Sequence, residues 1–298
     1  MKIKAKNKVG LYGLIRDGTR NEELTSEDIE DFLNRDELDL ETRERLARWK
    51  EELRFWEEYA EIYFNLEKAR PYYNLSRTIE KLIEPKRGDI WLDIGCGPAK
   101  MSQLIWEKSR RKVKKIIGID IVLKPARETL KKVNKPLPLE LVYANIGERL
   151  PFPDDYFDGI VANLVLPYVI DFEGYTGNEA LKRVLEEMYR ILKPGGHMVW
   201  STPQKNVHFQ WVFVASLPDM LNIYAYIVHK DITRILQGTR ILKHALGIQK
   251  KGKKGVYVFL SKEELEMLLT QIGFRGFIWR KTFARQVWVN KVFKPEIA

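Results

Sequence analysis

Trp91-Leu-Asp-Ile-Gly-Cys-Gly-Pro-Ala-Lys100 reads as a strand, a tight turn and the start of a helix. Ile90 to Ile94 supply apolar, β-favouring residues, Gly95 and Gly97 give the backbone room to turn beside a ligand, and Pro98 suits a first helical turn. A dinucleotide fingerprint would place a third glycine where Lys100 stands, and its helix N-terminus would receive a pyrophosphate. Here Asp93 stands two residues before the first glycine. A carboxylate there sits poorly beside a phosphate and well beside an ammonium group.

Working outward, helix 99–110 leads to Val113-Lys-Lys-Ile-Ile-Gly-Ile-Asp120, an apolar run ending in an acid. An acid at the end of the second strand of a doubly wound sheet is placed to accept both hydroxyls of a ribose. A short helix over 125–133, a third strand over 139–144 and a fourth over 158–163 follow. Helix 179–192 is expected to stop at Lys193-Pro-Gly-Gly196, before a fifth strand, His197-Met-Val-Trp-Ser201. Ser261-Lys-Glu-Glu264 caps a last helix that reaches Ile272 and ends at Gly273. Strands 274–280 and 282–292 then complete the sheet with an antiparallel edge, and Phe283, Val287, Val289 and Val292 supply its apolar faces.

Three of these stretches carry a family resemblance. Asp93-Ile-Gly95-Cys-Gly97 resembles motif I of the class I S-adenosylmethionine (SAM)-dependent methyltransferases. Asn145 to Asp158, with its Leu-Pro-Phe turn, resembles the stretch in which that family holds the adenine, and Arg190-Ile-Leu-Lys-Pro-Gly-Gly196 resembles its helix stop before the fifth strand. The style is most similar to the ubiquinone/menaquinone-biosynthesis (type 11) small-molecule enzymes. The resemblance implies an α/β, doubly wound, mostly parallel seven-stranded Rossmann-like sheet that binds SAM. It further implies a cofactor set of Asp93, Gly95, Cys96, Gly97, Lys100, Asp120, Ile121, Asn145, Ile146, Asn163 and Leu164, with Tyr72 or Tyr73 closing over the ligand. Many relatives carry Asp where Asn145 stands, and an amide oxygen still accepts a bond from the adenine amino group. Asn163 and Tyr168 are too far apart for the base-gripping motif of adenine N6-methyltransferases, so Tyr168 is expected to face a small acceptor. Tyr168 and His208 are candidate bases, and no catalytic residue is obligatory where binding geometry supplies the rate.

Two segments lie outside that core: a helical extension or cap over 1–85, and an insert over 203–255 in the domain that spans 86–298. In the extension, a short helix begins at Thr25 and a longer one spans 41–69, with Leu46, Trp49, Leu53, Trp56, Ala60 and Phe64 at helical spacing. Pro71 restarts the helix, and Trp49, Trp56, Tyr63 and Phe64 are expected to dock the extension on the core. The insert crowds apolar residues around Pro218, Asp219 and Asn222, which excludes a membrane-spanning helix and favours two short lid helices. A helix over 232–246 and a flexible basic run, Lys250 to Lys254, follow. Apolar surface beside basic residues suits a lipid-like or quinone-like acceptor and peripheral contact with an anionic membrane.

The 298 residues carry 51 basic and 41 acidic side chains, a formal net charge of +10. That charge keeps an RNA methyltransferase as the alternative enzyme and a SAM-binding scaffold as the non-enzymatic one. Cys96 is the single cysteine, so neither an internal disulfide nor a cysteine-based metal site is expected. The basic N-terminus precedes no apolar run of signal-peptide length, and a cytoplasmic, membrane-peripheral protein is expected. Oligomeric state is left open.

Overall fold

Ile90–Ile94 form strand β1, held between two parallel neighbours, β2 (Lys115–Asp120) and β4 (Phe157–Asn163). A strand covered on both sides and both faces needs an almost unbroken apolar run, as β1 has. Trp91 is fully buried beneath Gly159 of β4, where an added Cβ would meet the indole at 2.4 Å. In the computed structural model, residues 23–34, 38–66, 69–132, 136–220 and 233–296 are described. With β3 (Leu139–Tyr143), β5 (Leu192–Pro203), β6 (Arg275–Thr282) and β7 (Val287–Phe293), the sheet runs β3-β2-β1-β4-β5-β7-β6. The first five strands are parallel, and β7 is antiparallel to both β5 and β6. The chain order reverses between β1 and β4, the point at which open α/β sheets leave a crevice at their strand ends.

Alternation along the strands divides the core. Leu92, Ile94, Ile117 and Ile119 face α6 (Gly177–Ile191) and α9 (Lys262–Ile272), whereas Trp91, Ile116, Val161 and Val199 face α3 (Arg70–Leu82) and α4 (Lys100–Lys108). α5 (Lys124–Lys132) follows β2, and α9 begins at the Ser261–Glu264 capping box. The extension contributes α1 (Ser26–Leu33), capped by Thr25 and Asp28, and α2 (Leu40–Leu66). Pro71 sits in the first turn of α3, where its missing N–H costs nothing. The insert contributes α7 (Phe209–Met220) and α8 (Thr233–Lys253). α8 packs on α2 and on α7, and α7 packs on α3, so extension and insert form one layer over the crevice.

Four sequence expectations are corrected. The helix after motif I starts at Lys100, because Pro98 and Ala99 finish the turn; Ala99 is left-handed (φ 59°) and donates its N–H to the Cys96 carbonyl at 2.7 Å. β5 begins at Leu192 and runs through the glycines. Gly195 and Gly196 exchange backbone hydrogen bonds with Lys294, while the ladder to β4 skips from Phe157–Leu192 to Gly159–His197. Phe283 lies in the β6–β7 turn with φ 56°, its ring buried against Tyr72 at 6.0 Å. Lys250, Lys251 and Lys253 form the last turns of α8, where the helix is held by packing on α2. The start of the extension and the second lid helix lie outside the described residues, as do the side chains of Tyr63 and Phe64.

Candidate functional site

Gly95 has φ +61°, and a Cβ on it would meet Val165 Cγ2 at 2.2 Å, so only glycine permits the turn after β1 to approach the loop after β4. That turn opens onto a cleft at the carboxyl ends of the parallel strands. One wall is Gly95, Gly97 and Pro98; the next is Asp120, Ile121, Val122 and Pro125; then come Ala144, Asn145 and Ile146, and finally Asn163, Leu164, Val165, Tyr168 and Val169. Trp49, Glu52, Trp56, Tyr59 and Ala60 of α2 roof it, with Ile248 of α8. Atom-free space in this cleft, counted out to its open mouth, is about 1080 Å³.

Asp120 ties two walls together. Its Oδ2 accepts from the Gly97 N–H at 2.8 Å and its Oδ1 from the Val122 N–H at 3.0 Å. Each oxygen keeps a second lone pair for a hydroxyl donor. Burial raises the Asp120 pKa, and the Gly97, Val122 and Ile121 amides oppose that rise. Asp93 lies deeper, 1% exposed, with Oδ2 accepting from the Ser102 N–H at 2.9 Å and hydroxyl at 2.6 Å. Its Oδ1 is buried without a hydrogen-bond partner. Burial pushes Asp93 up to about 7 although both Ser102 bonds pull it down, and the Asp120 charge adds to the rise. A buried carboxylate with one idle oxygen is a receptor for a cation or donor.

The other expected residues separate into those on the cleft and those behind it. Asn145 uses Oδ1 to accept from the Gly147 N–H at 2.9 Å, leaving Nδ2 buried and unpartnered. Its idle group is a donor, which suits a ring nitrogen better than the amino group the sequence suggested. Asn163 accepts from the Ser201 hydroxyl at 2.7 Å and donates to the Tyr72 hydroxyl at 3.1 Å, so it braces the β4 terminus. Leu164, left-handed at φ 56°, donates its N–H to Ser201 Oγ at 2.8 Å. Cys96 turns its sulfur away: a Cβ on Gly118 of β2 would come within 3.2 Å of Sγ. Its N–H donates to the Ile119 carbonyl at 3.0 Å, so its backbone closes the turn. Lys100 opens α4 and Tyr72 is buried behind Asn163; neither is on the cleft wall, and Tyr73 is 58% exposed.

Tyr168 does reach the cleft, in an aromatic group with Trp56 (5.5 Å between centroids), Tyr257 (5.0 Å) and Phe259 (6.0 Å). Burial, with a smaller contribution from Tyr59, holds its phenol well above the ordinary value. It therefore faces the cleft in its protonated form at neutral pH, as a wall and a hydrogen-bond donor. His208 is exposed, its N–H bonded to Gln286 and its ring beside Gln210, away from the cleft wall. Reading the sequence assigned Trp49 and Trp56 to docking and passed over Glu52 and Tyr59. Spacing of 49, 52, 56 and 59 on one helix was the available signal, with an acid inside an aromatic stripe. Among the described residues there is no cluster of three or more metal-ligating side chains.

A strand-end cleft with a glycine turn, an acid after β2 and a polar residue after β3 defines a nucleoside-binding member of the doubly wound class. Residues 92–200 match the family model described as a methyltransferase domain (type 11). The chain is 34% identical over 131 residues to the demethylmenaquinone methyltransferase of Listeria welshimeri, which covers 43% of this chain and 50% of that protein. It is 36% identical over 118 residues to the ubiquinone/menaquinone biosynthesis C-methyltransferase UbiE of Enterobacter sp. (strain 638), covering 38% and 42% respectively. The chain thus spans about half the length of the curated relatives it matches. A chain from the complex of the Haloferax volcanii Trm112 methyltransferase activator shares the fold, with TM-score 0.50, 14% identity and 76% and 91% coverage of the two chains.

SAM fits the groups in the cleft. The Asp120 carboxylate matches a ribose diol, the idle Asp93 oxygen an ammonium, and the idle Asn145 amide a purine nitrogen. No phosphate is needed, and the Asp120 carboxylate on the wall, with Asp93 buried behind it, would repel one.

Proposed function

We propose that this protein transfers a methyl group from SAM to a small, lipophilic, quinone-like or lipid-like acceptor by direct displacement. The observation that carries the reading is the composition of the cleft: polar and acidic groups at the strand ends, and Trp49, Trp56, Tyr59 and Tyr168 opposite them. SAM supplies an activated methyl group when bound. The chain's residues hold its nucleoside at Asp120 and Asn145, take its ammonium at Asp93, and place an apolar acceptor against the aromatic wall of Trp49, Trp56, Tyr59 and Tyr168. The α2–α8 roof covers the cleft and holds both ligands in place, so proximity and orientation carry the rate.

The test is methyl transfer from labelled SAM into a fractionated cell extract, with calorimetry of S-adenosylhomocysteine (SAH) binding beside it. Label in the lipid-soluble small-molecule fraction and SAH binding at micromolar concentration are expected. Label confined to RNA or protein, or no binding at millimolar SAH, overturns the reading.

Peripheral contact with an anionic membrane belongs to the same proposal. On α7 the exposed positions Trp211, Val214, Ala215 and Pro218 follow i, i+3, i+4, i+7 spacing and are all apolar. Neighbouring α8 exposes Arg240, Lys243, Lys250 and Lys253. Among the described residues, no helix is long and apolar enough to cross a membrane.

A further inference from the structure

Glu52 is a carboxylate in an aromatic wall. It lies on α2 between Trp49 and Trp56, lines the cleft, and is 4% exposed. Its Oε1 accepts from the Trp56 indole at 2.7 Å and from the Tyr257 hydroxyl; its Oε2 accepts from Lys251 Nζ at 2.5 Å. Lys251 also reaches the Tyr257 hydroxyl at 3.2 Å and lies 4.4 Å from the Phe55 ring centroid. Three donors therefore fix the carboxylate and leave one lone-pair position on Oε2.

An ion pair that merely fastened α2 to α8 would hold no better than apolar side chains of the same size, and it has no need to border a ligand cleft. Asp120, the other carboxylate on the described cleft wall, belongs to the opposite, strand-end side. We infer that Glu52 selects the acceptor: it takes an aromatic ring that offers an uncharged hydrogen-bond donor, and it rejects rings that carry an anionic substituent. This rests on the methyltransferase reading and adds the residue that sets acceptor choice. Lys251 holds Glu52 and Tyr257 from off the described cleft wall, so it fixes the carboxylate while Glu52 remains the acid that faces the ligand. Trp56 and Tyr168, both on the cleft wall, supply the flat faces.

Three naphthalenes of nearly equal shape test this on the full chain with SAH present: 2-naphthol, 2-methoxynaphthalene and 2-naphthoate, titrated by quenching of tryptophan fluorescence. The wild type is expected to bind 2-naphthol about tenfold or more tighter than the methoxy compound, the worth of one hydrogen bond to a charged group, and 2-naphthoate more weakly still. In Glu52→Gln the three affinities should draw within about threefold of one another while SAH binding persists; in Tyr257→Phe, which keeps the carboxylate, the ranking should survive. The inference is overturned if wild type binds 2-naphthoate as tightly as 2-naphthol, if it binds none of the three, or if a folded Glu52→Gln keeps the wild-type ranking. The wild-type ranking decides the matter if Glu52→Gln does not fold. Failure of SAH to bind would instead strike the methyltransferase reading, which the naphthalene ranking does not measure.

Discussion

Asp93 in β1 and Asp120 at the end of β2 are acids on neighbouring strands, yet the fold treats them differently. Asp120 has a backbone amide on each oxygen, whereas Asp93 spends one oxygen on Ser102 and leaves the other idle. With its pKa raised to about 7, folded Asp93 keeps its proton over a range in which the unfolded chain, at the ordinary 3.8, has lost it. Its contribution to stability is therefore full below about pH 4 and is lost as pH rises toward 7. A cationic ligand beside it favours the ionised form, so SAH binding near pH 6.5 should release a proton. Calorimetry in buffers of differing ionisation enthalpy should show that release in the wild type and none in Asp93→Asn. Asp120→Ala removes the diol acceptor and the anchor of the Gly97 amide together, and SAH affinity should fall about 100-fold. Equal titration heats in all buffers, or unchanged affinity in Asp120→Ala, would remove these roles.

Between the helices, one buried ion pair holds the extension down. Arg45 of α2 meets Asp171, in the loop before α6, through Nη2 at 2.7 Å and Nε at 3.2 Å, with side chains 8% and 3% exposed. Removing one partner leaves a buried charge, so Asp171→Ala should cost roughly 3–5 kcal/mol in urea unfolding and loosen α2 over the cleft. Replacing both, in Arg45→Met with Asp171→Leu, should recover part of that loss, and no recovery would show that the pair contributes net stability. This contact illustrates the limit of the linear reading. β1 to β5, the glycine turn and Asp120 were legible because their signals are local: strand periodicity, turn residues and an acid at a strand end. Arg45 and Asp171 are 126 positions apart, and Glu52 and Lys251 are 199 apart. No spacing rule joins such residues. The same absence hid the roof of the cleft, since the extension and the insert looked like two separate additions until α2 and α8 were seen to pack together. At Asn145, residue type and position were readable, but the choice of which amide atom the Gly147 turn would occupy was not.

Taken together, the layer of α2, α3, α7 and α8 gives the chain a ligand-facing side and an outer side, and the outer side has its own chemistry. Phe209, Val212 and Ser216 are the buried positions of α7, so its opposite stripe is not spare core. Trp211 is 57% exposed and Val214 47%, and Asp219, the acid of that helix, is paired with Arg70 through its backbone N–H at 2.7 Å. In the proposed membrane contact, the adjacent basic stripe on α8 would supply attraction to anionic headgroups and the α7 stripe apolar area to enter the headgroup boundary. Sedimentation with vesicles of phosphatidylcholine alone and with phosphatidylglycerol added separates the two contributions. Binding is expected on the anionic vesicles and weakly or not at all on the neutral ones. Lys250→Glu with Lys253→Glu should weaken anionic binding about tenfold or more, at about 1 kcal/mol for each charge near the surface, and added salt should weaken wild-type binding in parallel. Trp211→Ser should weaken binding without changing its salt dependence, because it removes area and no charge. Equal partition of the wild type onto both vesicle types, or none onto either, would detach the outer face from the membrane and leave the cleft's acceptor to arrive through solution.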